Sequence, residues 1–172
     1  MAKKAENTAA ARHPERMKEA TLRVLVIHGA NLNLLGEREP EIYGRTRLAD
    51  IDRGLIELGR ELGMVVEAFQ SNSESAIVER IHEARNQRVD IVLINPGSYT
   101  HTSVAIRDAL LAIRIPVVEI HMSNVYRREP FRHHSTIADI AAGRVMGFGV
   151  ESYSLALRAV RGVLKAARSE RR

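Results

Sequence analysis

Val89-Asp90-Ile91-Val92-Leu93-Ile94, running into Asn95-Pro96-Gly97, decides the fold of this chain. Apart from Asp90 the run is apolar, with no alternation of polar and apolar positions, the pattern of a strand covered on both faces. Such a strand belongs to a parallel sheet flanked by helices. Outward from it the chain alternates. Leu22-Arg23-Val24-Leu25-Val26-Ile27 reads as a first strand and Met64-Val65-Val66-Glu67-Ala68-Phe69 as a second. Pro116-Val117-Val118-Glu119-Ile120 reads as a fourth, and Val145-Met146-Gly147-Phe148-Gly149 as a short fifth. Between the strands, Ile51, Leu55, Leu58 and Leu62 recur at helical spacing before a Gly63 stop. Ile77, Ile81 and Ala84 follow Ser73 as N-cap, a further helix is predicted over 102–113, and Leu157, Val160, Val163 and Leu164 mark a terminal helix from Ser152. This alternation predicts an α/β, flavodoxin-like, doubly wound five-stranded parallel sheet of order 2-1-3-4-5, in a single domain over 21–168. Residues 1–20 read as a disordered extension and 169–172 as a basic tail.

The 172 residues suffice for a real core. The absence of cysteine removes disulfides, thiol nucleophiles and thiolate metal sites. With no apolar run long enough to span a bilayer and a polar, charged N-terminus, the expected location is cytoplasmic. The net charge of +5 is concentrated at the ends: residues 1–20 carry five Lys/Arg against three acids, and 158–172 carry six against one. The middle has 15 Arg and 17 acids, so no basic surface is left to track phosphates, and no nucleic-acid partner is expected. The four lysines are Lys3, Lys4, Lys18 and Lys165, which leaves the domain without one for a Schiff base or a phosphate loop.

Open α/β sheets bind ligands beyond the carboxyl ends of their strands, at the switch between strands one and three. Polar residues collect there: Asn31 after strand one, Asn95 after strand three, and His121-Met122-Ser123-Asn124 after strand four. The connection from His28 to Gly44 is far longer than most strand–helix loops, and it carries Arg38 five residues before Tyr43. A phenol has a reference pKa of about 10, and lowering it by about three units takes roughly 4 kcal/mol. Arg38 and the Arg127-Arg128 pair could supply that; alternatively Tyr43 only packs the loop down. Glu119 shares a strand face with His121 and could orient its imidazole, the other reading being a core histidine. His101 sits at a predicted helix start, and Gly97 would let backbone approach a ligand. His133-His134 lacks a carboxylate at ligand spacing, so no metal is expected. Gly147-Phe148-Gly149 lacks the third glycine of a dinucleotide fingerprint and reads as a turn. The inventory suits proton abstraction and elimination on a small hydroxylated anion, without a cofactor. Two other classes compete: a flavin- or nucleotide-binding module, disfavoured by the missing phosphate loop and absent Trp, and a nucleic-acid or membrane contact through the basic end from Arg158 to Arg172.

The series Gly29-x-Asn31-Leu32-Asn33-Leu34-Leu35-Gly36-x-Arg38-Glu39-Pro40-x-x-Tyr43-Gly44 resembles the signature of type II 3-dehydroquinate dehydratases. Gln70-Ser71-Asn72, Asn95-Pro96-Gly97, Thr100 through Ala109, Glu119-Ile120-His121-x-Ser123-Asn124 and Arg128-Glu129-x-Phe131-Arg132-x-x-Ser135 continue it over about 22–160. The resemblance implies dehydration of 3-dehydroquinate to 3-dehydroshikimate by anti elimination through an enolate, with no Schiff base, in aromatic biosynthesis or quinate breakdown. It implies Tyr43 as phenolate base, Arg38 as its activator with Arg128 helping, and Asn31 as holder of a water on the enolate oxygen. His121 becomes general acid, oriented by Glu119. Asn95, His101 and Arg132 would grip ring hydroxyls, and the Met122-Ser123 backbone would bind the carboxylate near a helix N-terminus. Asp108 would reach a neighbouring subunit's site in a homododecamer built from trimers. His28 and Ala30 depart from the Asn and Pro usual beside that glycine and could shift Asn31. Ser75, Tyr126 and Thr136 also depart from the common pattern.

Overall fold

The computed structural model describes residues 21–37 and 46–170. Strands β1 (Leu22–His28), β2 (Met64–Gln70), β3 (Ile91–Asn95), β4 (Val117–His121) and β5 (Gly143–Met146) pair in parallel in the order β2-β1-β3-β4-β5. Helices α1 (Leu48–Glu61), α2 (Glu74–Asn86), α3 (Val104–Ile113) and α4 (Glu151–Glu170) alternate with them. This is the doubly wound α/β single domain that the apolar strands predict.

Successive strand residues point to opposite faces, so each central strand feeds two cores. Val24, Val26, Ile91 and Leu93 pack with Ile51 and Leu55 of α1 and with Leu157 and Val160 of α4. Leu25, Ile27, Val92 and Ile94 pack with Ile77 and Ile81 of α2 and with Ile106 and Leu110 of α3. Burying each such side chain is worth roughly 1.5–3 kcal/mol, which is why the buried run at β3 could be read as central. Ser73 caps α2 by accepting from the Ala76 amide, as its position predicts.

Boundaries differ from the sequence reading where local hydrogen bonds decide them. The helix predicted from Thr102 begins at Val104, because the Ser103 hydroxyl accepts from the Ile106 amide at 2.9 Å and starts the helix there. Residues Gly97–His101 before it form a 3-10 turn, so His101 closes a turn instead of opening a helix. The fifth strand lies at Gly143–Met146 and stops where Gly147 takes φ 93°. Helix α4 continues to Glu170, past the expected start of the basic tail. No helix among the described residues is long and apolar enough to cross a membrane.

Candidate active site

The carboxyl ends of β1, β3 and β4 open onto one cleft of about 190 Å³. Its first wall is the turn after β1. Asn31 takes the left-handed conformation at φ 68°, which Asn tolerates better than most residues, and its amide donates to Asn72 Oδ1 at 2.9 Å. Gln70 Nε2 donates to the same oxygen at 3.0 Å, so the end of β2 braces this turn. Two glycines let the turns after β1 and β3 touch. A Cβ on Gly29 would stand 2.0 Å from the Pro96 carbonyl oxygen, and one on Gly97, itself at φ 63°, 2.6 Å from that of Ala30. Any side chain at either position forces the walls apart.

The end of β4 supplies the floor. His121 is buried, and its Nε2 donates to Glu119 Oε1 at 2.6 Å. Glu119 is fully buried and does not line the cleft. Arg144, paired with it in register on β5, brings Nε to 2.9 Å of Glu119 Oε2. Burial pushes the Glu119 carboxyl up, but the His121 hydrogen bond and the charges of His121 and Arg144 outweigh it and hold the carboxyl below its ordinary value. An ionised Glu119 only accepts, so Nε2 of His121 carries a proton and Nδ1 is the nitrogen Glu119 does not engage.

His101 is fixed in the same manner. Its Nδ1 lies 2.7 Å from the His134 carbonyl oxygen, which only accepts, so Nδ1 carries the proton. Arg128 and Arg132 lie on the rim, both within reach of Glu129 Oε2, at 3.4 and 2.8 Å. Hydrogen bonding to its own backbone amide and to Arg132 holds the Glu129 carboxyl below its usual range despite exposure.

The cleft thus gathers Asn31, Asn95, Gly97, His101, His121, Met122, Ser123, Arg128 and Arg132 from the predicted set, with Glu119 directly behind His121. Asp108 stands apart, exposed on α3 and away from this cleft. Arg38 and Tyr43 lie outside the described residues. The expected helix N-terminus beside Met122-Ser123 is instead the three-residue 3-10 turn Val125–Arg127. Asn124 caps it by accepting from the Tyr126 amide, and Arg128 is already extended; Pro130 further disfavours helix at the residue before it. Among the described residues no group of three or more His, Cys, Asp or Glu could hold a metal ion. His133 Nε2 donates instead to the Arg128 carbonyl.

Sequence reasoning missed the side chains behind this surface. Arg144 had no signal, because only strand register sets it against Glu119. His28 was noted only as a departure. Tyr153 could have been found, since it precedes Leu157 and Val160 by four and seven residues, on the buried stripe of α4.

Fold and cleft together define a doubly wound α/β protein with a polar, arginine-rimmed ligand site at its topological switch point. The family model described as dehydroquinase class II matches residues 22–161, and the chain belongs to that family. It is 56% identical over 137 residues to a 3-dehydroquinate dehydratase of Xanthomonas campestris pv. campestris (strain 8004), spanning 80% of this chain and 93% of that one. It is 53% identical over 148 residues to the enzyme of that name from Leptothrix cholodnii, spanning 86% and 99%. The crystal structure of type II dehydroquinase from Butyrivibrio crossotus superposes with TM-score 0.81 at 40% identity, over 83% of this chain and 99% of that one. That from Propionibacterium acnes gives 0.77 at 43%, over 82% and 98%.

Proposed function

We propose that this chain dehydrates 3-dehydroquinate to 3-dehydroshikimate by anti elimination through an enolate. The observation that carries the reading is the buried Glu119–His121 pair at the floor of a cleft walled by Asn31 and rimmed by Arg128 and Arg132. Tyr43, ionised by Arg38 with help from Arg128, takes the proton α to the ketone, and its electron pair forms the enolate. A water held by Asn31 steadies the enolate oxygen. Reformation of the carbonyl then expels the hydroxyl, to which His121 delivers a proton, so that water leaves and an enone remains. Asn95, His101 and Arg132 hold the ring hydroxyls, and the Met122-Ser123 backbone holds the carboxylate.

The lysine pattern supports an enolate over an imine. The one lysine among the described residues, Lys165, is in the later part of α4 and does not line the cleft. No cofactor enters the scheme. We place the enzyme in the cytoplasm, in aromatic biosynthesis or quinate breakdown. It works there as a homododecamer built from trimers in which Asp108 completes a neighbour's site, with 1–20 outside the catalytic domain. The test is a steady-state assay of enone absorbance on 3-dehydroquinate with and without borohydride. Turnover unaffected by borohydride is expected. Irreversible inactivation requiring substrate would refute the enolate route, and absence of turnover would refute the function.

A further inference from the structure

Behind the cleft runs a buried chain of polar groups that ends on Asn95 and whose other members have no part in the proposed reaction. Asp52 on α1 places Oδ1 2.9 Å from His28 Nε2. His28 Nδ1 lies 3.0 Å from Tyr153 Oη, and Asn95 Nδ2 lies 3.0 Å from the same hydroxyl. His28, Tyr153 and Asn95 are only 0%, 1% and 4% exposed, whereas Asp52 reaches solvent at 29%. Four elements meet in this line: α1, the ends of β1 and β3, and the first turn of α4.

Donor and acceptor chemistry gives the chain one direction. An ionised Asp52 can only accept, so His28 Nε2 carries a proton. In the neutral ring Nδ1 then accepts, and the partner available to it is the Tyr153 hydroxyl. Burial raises the pKa of that hydroxyl, outweighing the Asn95 hydrogen bond, so it keeps the proton it must donate. With that proton spent on His28, the oxygen accepts from Asn95 Nδ2. At the far end Asn95 Oδ1 accepts from the Gly97 amide at 3.2 Å. Reversing the amide would set two donors together at Gly97 and leave the Tyr153 oxygen facing a carbonyl oxygen. Buried polar groups left unpaired in this manner are costly.

We infer that Asp52, His28 and Tyr153 form a positioning relay that pins the Asn95 amide in one of its two orientations, and so fixes which groups the cleft offers to a substrate hydroxyl. None of the three lines the cleft. Their effect on catalysis rests on the proposed reaction, through Asn95; the direction of the hydrogen bonds does not.

Two measurements separate these. Solid-state 15N spectra of histidine-labelled wild-type protein, with His28 assigned by its loss in His28→Asn, report the protonated nitrogen without reference to activity. A proton on Nε2 with Nδ1 accepting is expected at neutral pH; a proton on Nδ1, or on both nitrogens, overturns the relay. The second compares Tyr153→Phe with wild type on 3-dehydroquinate. Loss of one buried hydrogen bond to a ground-state binding group raises KM about tenfold and leaves kcat within about threefold. An unchanged KM, or a fall confined to kcat, overturns the relay. Should wild type itself fail to turn over 3-dehydroquinate, the proposed reaction falls while the tautomer result still decides the relay.

Discussion

Replacing Glu119 by Gln separates the charge of the buried carboxylate from its shape. In the parent, Oε1 accepts from His121 Nε2 at 2.6 Å, and Oε2 meets Arg144 Nε at 2.9 Å. The amide keeps one oxygen and exchanges the other for a donor. If the oxygen stays on His121, the new NH2 faces a guanidinium; if it turns to Arg144, the NH2 faces the imidazole N–H. Either rotamer makes one contact repulsive. Losing one charge-assisted hydrogen bond costs about 1.5–3 kcal/mol, which is roughly 10- to 150-fold in rate if felt wholly where His121 hands over its proton. The expected result, read as enone absorbance, is a kcat at least about tenfold lower with a smaller change in KM, because Glu119 does not line the cleft. A kcat within about threefold of the parent refutes the role. Stability supplies a second arm. Folding holds the Glu119 carboxyl below its ordinary value of 4.5, so its stabilisation is complete above that value and is lost as pH falls through the lower folded one. Acid melts below pH 4.5 should therefore destabilise the parent more steeply than Glu119→Gln; parallel curves contradict the assigned direction.

Tyr43→Phe is expected to abolish most turnover on 3-dehydroquinate while the far-ultraviolet spectrum and oligomer size stay as in the parent; near-normal turnover removes the phenolate base. His121→Ala should still bind substrate, measured by equilibrium dialysis, yet stall at protonation of the leaving hydroxyl, and unchanged kcat would delete that step. Gly97→Ala combines a strained φ of 63° with a Cβ 2.6 Å from the Ala30 carbonyl oxygen, so a loss above about 1 kcal/mol by urea titration and a raised KM are expected. A variant as stable as the parent would show that the two turns need not touch.

Most of the fold was legible because burial on both faces leaves an unbroken apolar run. β3 announced itself in this manner, and α1 and α2 through Ile51, Leu55, Ile77 and Ile81 at helical spacing. Element ends were less legible because side-chain hydrogen bonds set them, as Ser103 does for α3 and Asn124 for the short turn after β4. Residues facing the cleft were found from their place at strand ends. Of their supports, Glu119 was readable two residues before His121 on one strand face. Arg144 and Tyr153 were not readable in these roles, because Arg144 meets Glu119, and Tyr153 meets His28 and Asn95, only through pairing and packing across long sequence separations. Chemistry at a strand end can be read along the chain, whereas what steadies it arrives from neighbouring elements.

The same alternation that builds the two cores also aims the site. On β4, Val117 packs into the core under α2 and α3, Val118 and Ile120 into the core under α1 and α4, and Glu119 and His121 fall on the face of Val117. A slip of one residue in the pairing of β4 with β3 would bury Glu119 among apolar side chains, aim His121 away from the cleft, and strand Val118 and Ile120 in the opposite core. Moving a charged pair into an apolar core is costly, so the Glu119–His121 pair opposes the slip along with the aliphatic residues. Glu119 carries His121 with it in any register, since both lie on β4, and owes Arg144 to the pairing of β4 with β5. The apolar alternation on either side of the buried carboxylate favours the register that places the imidazole at the cleft.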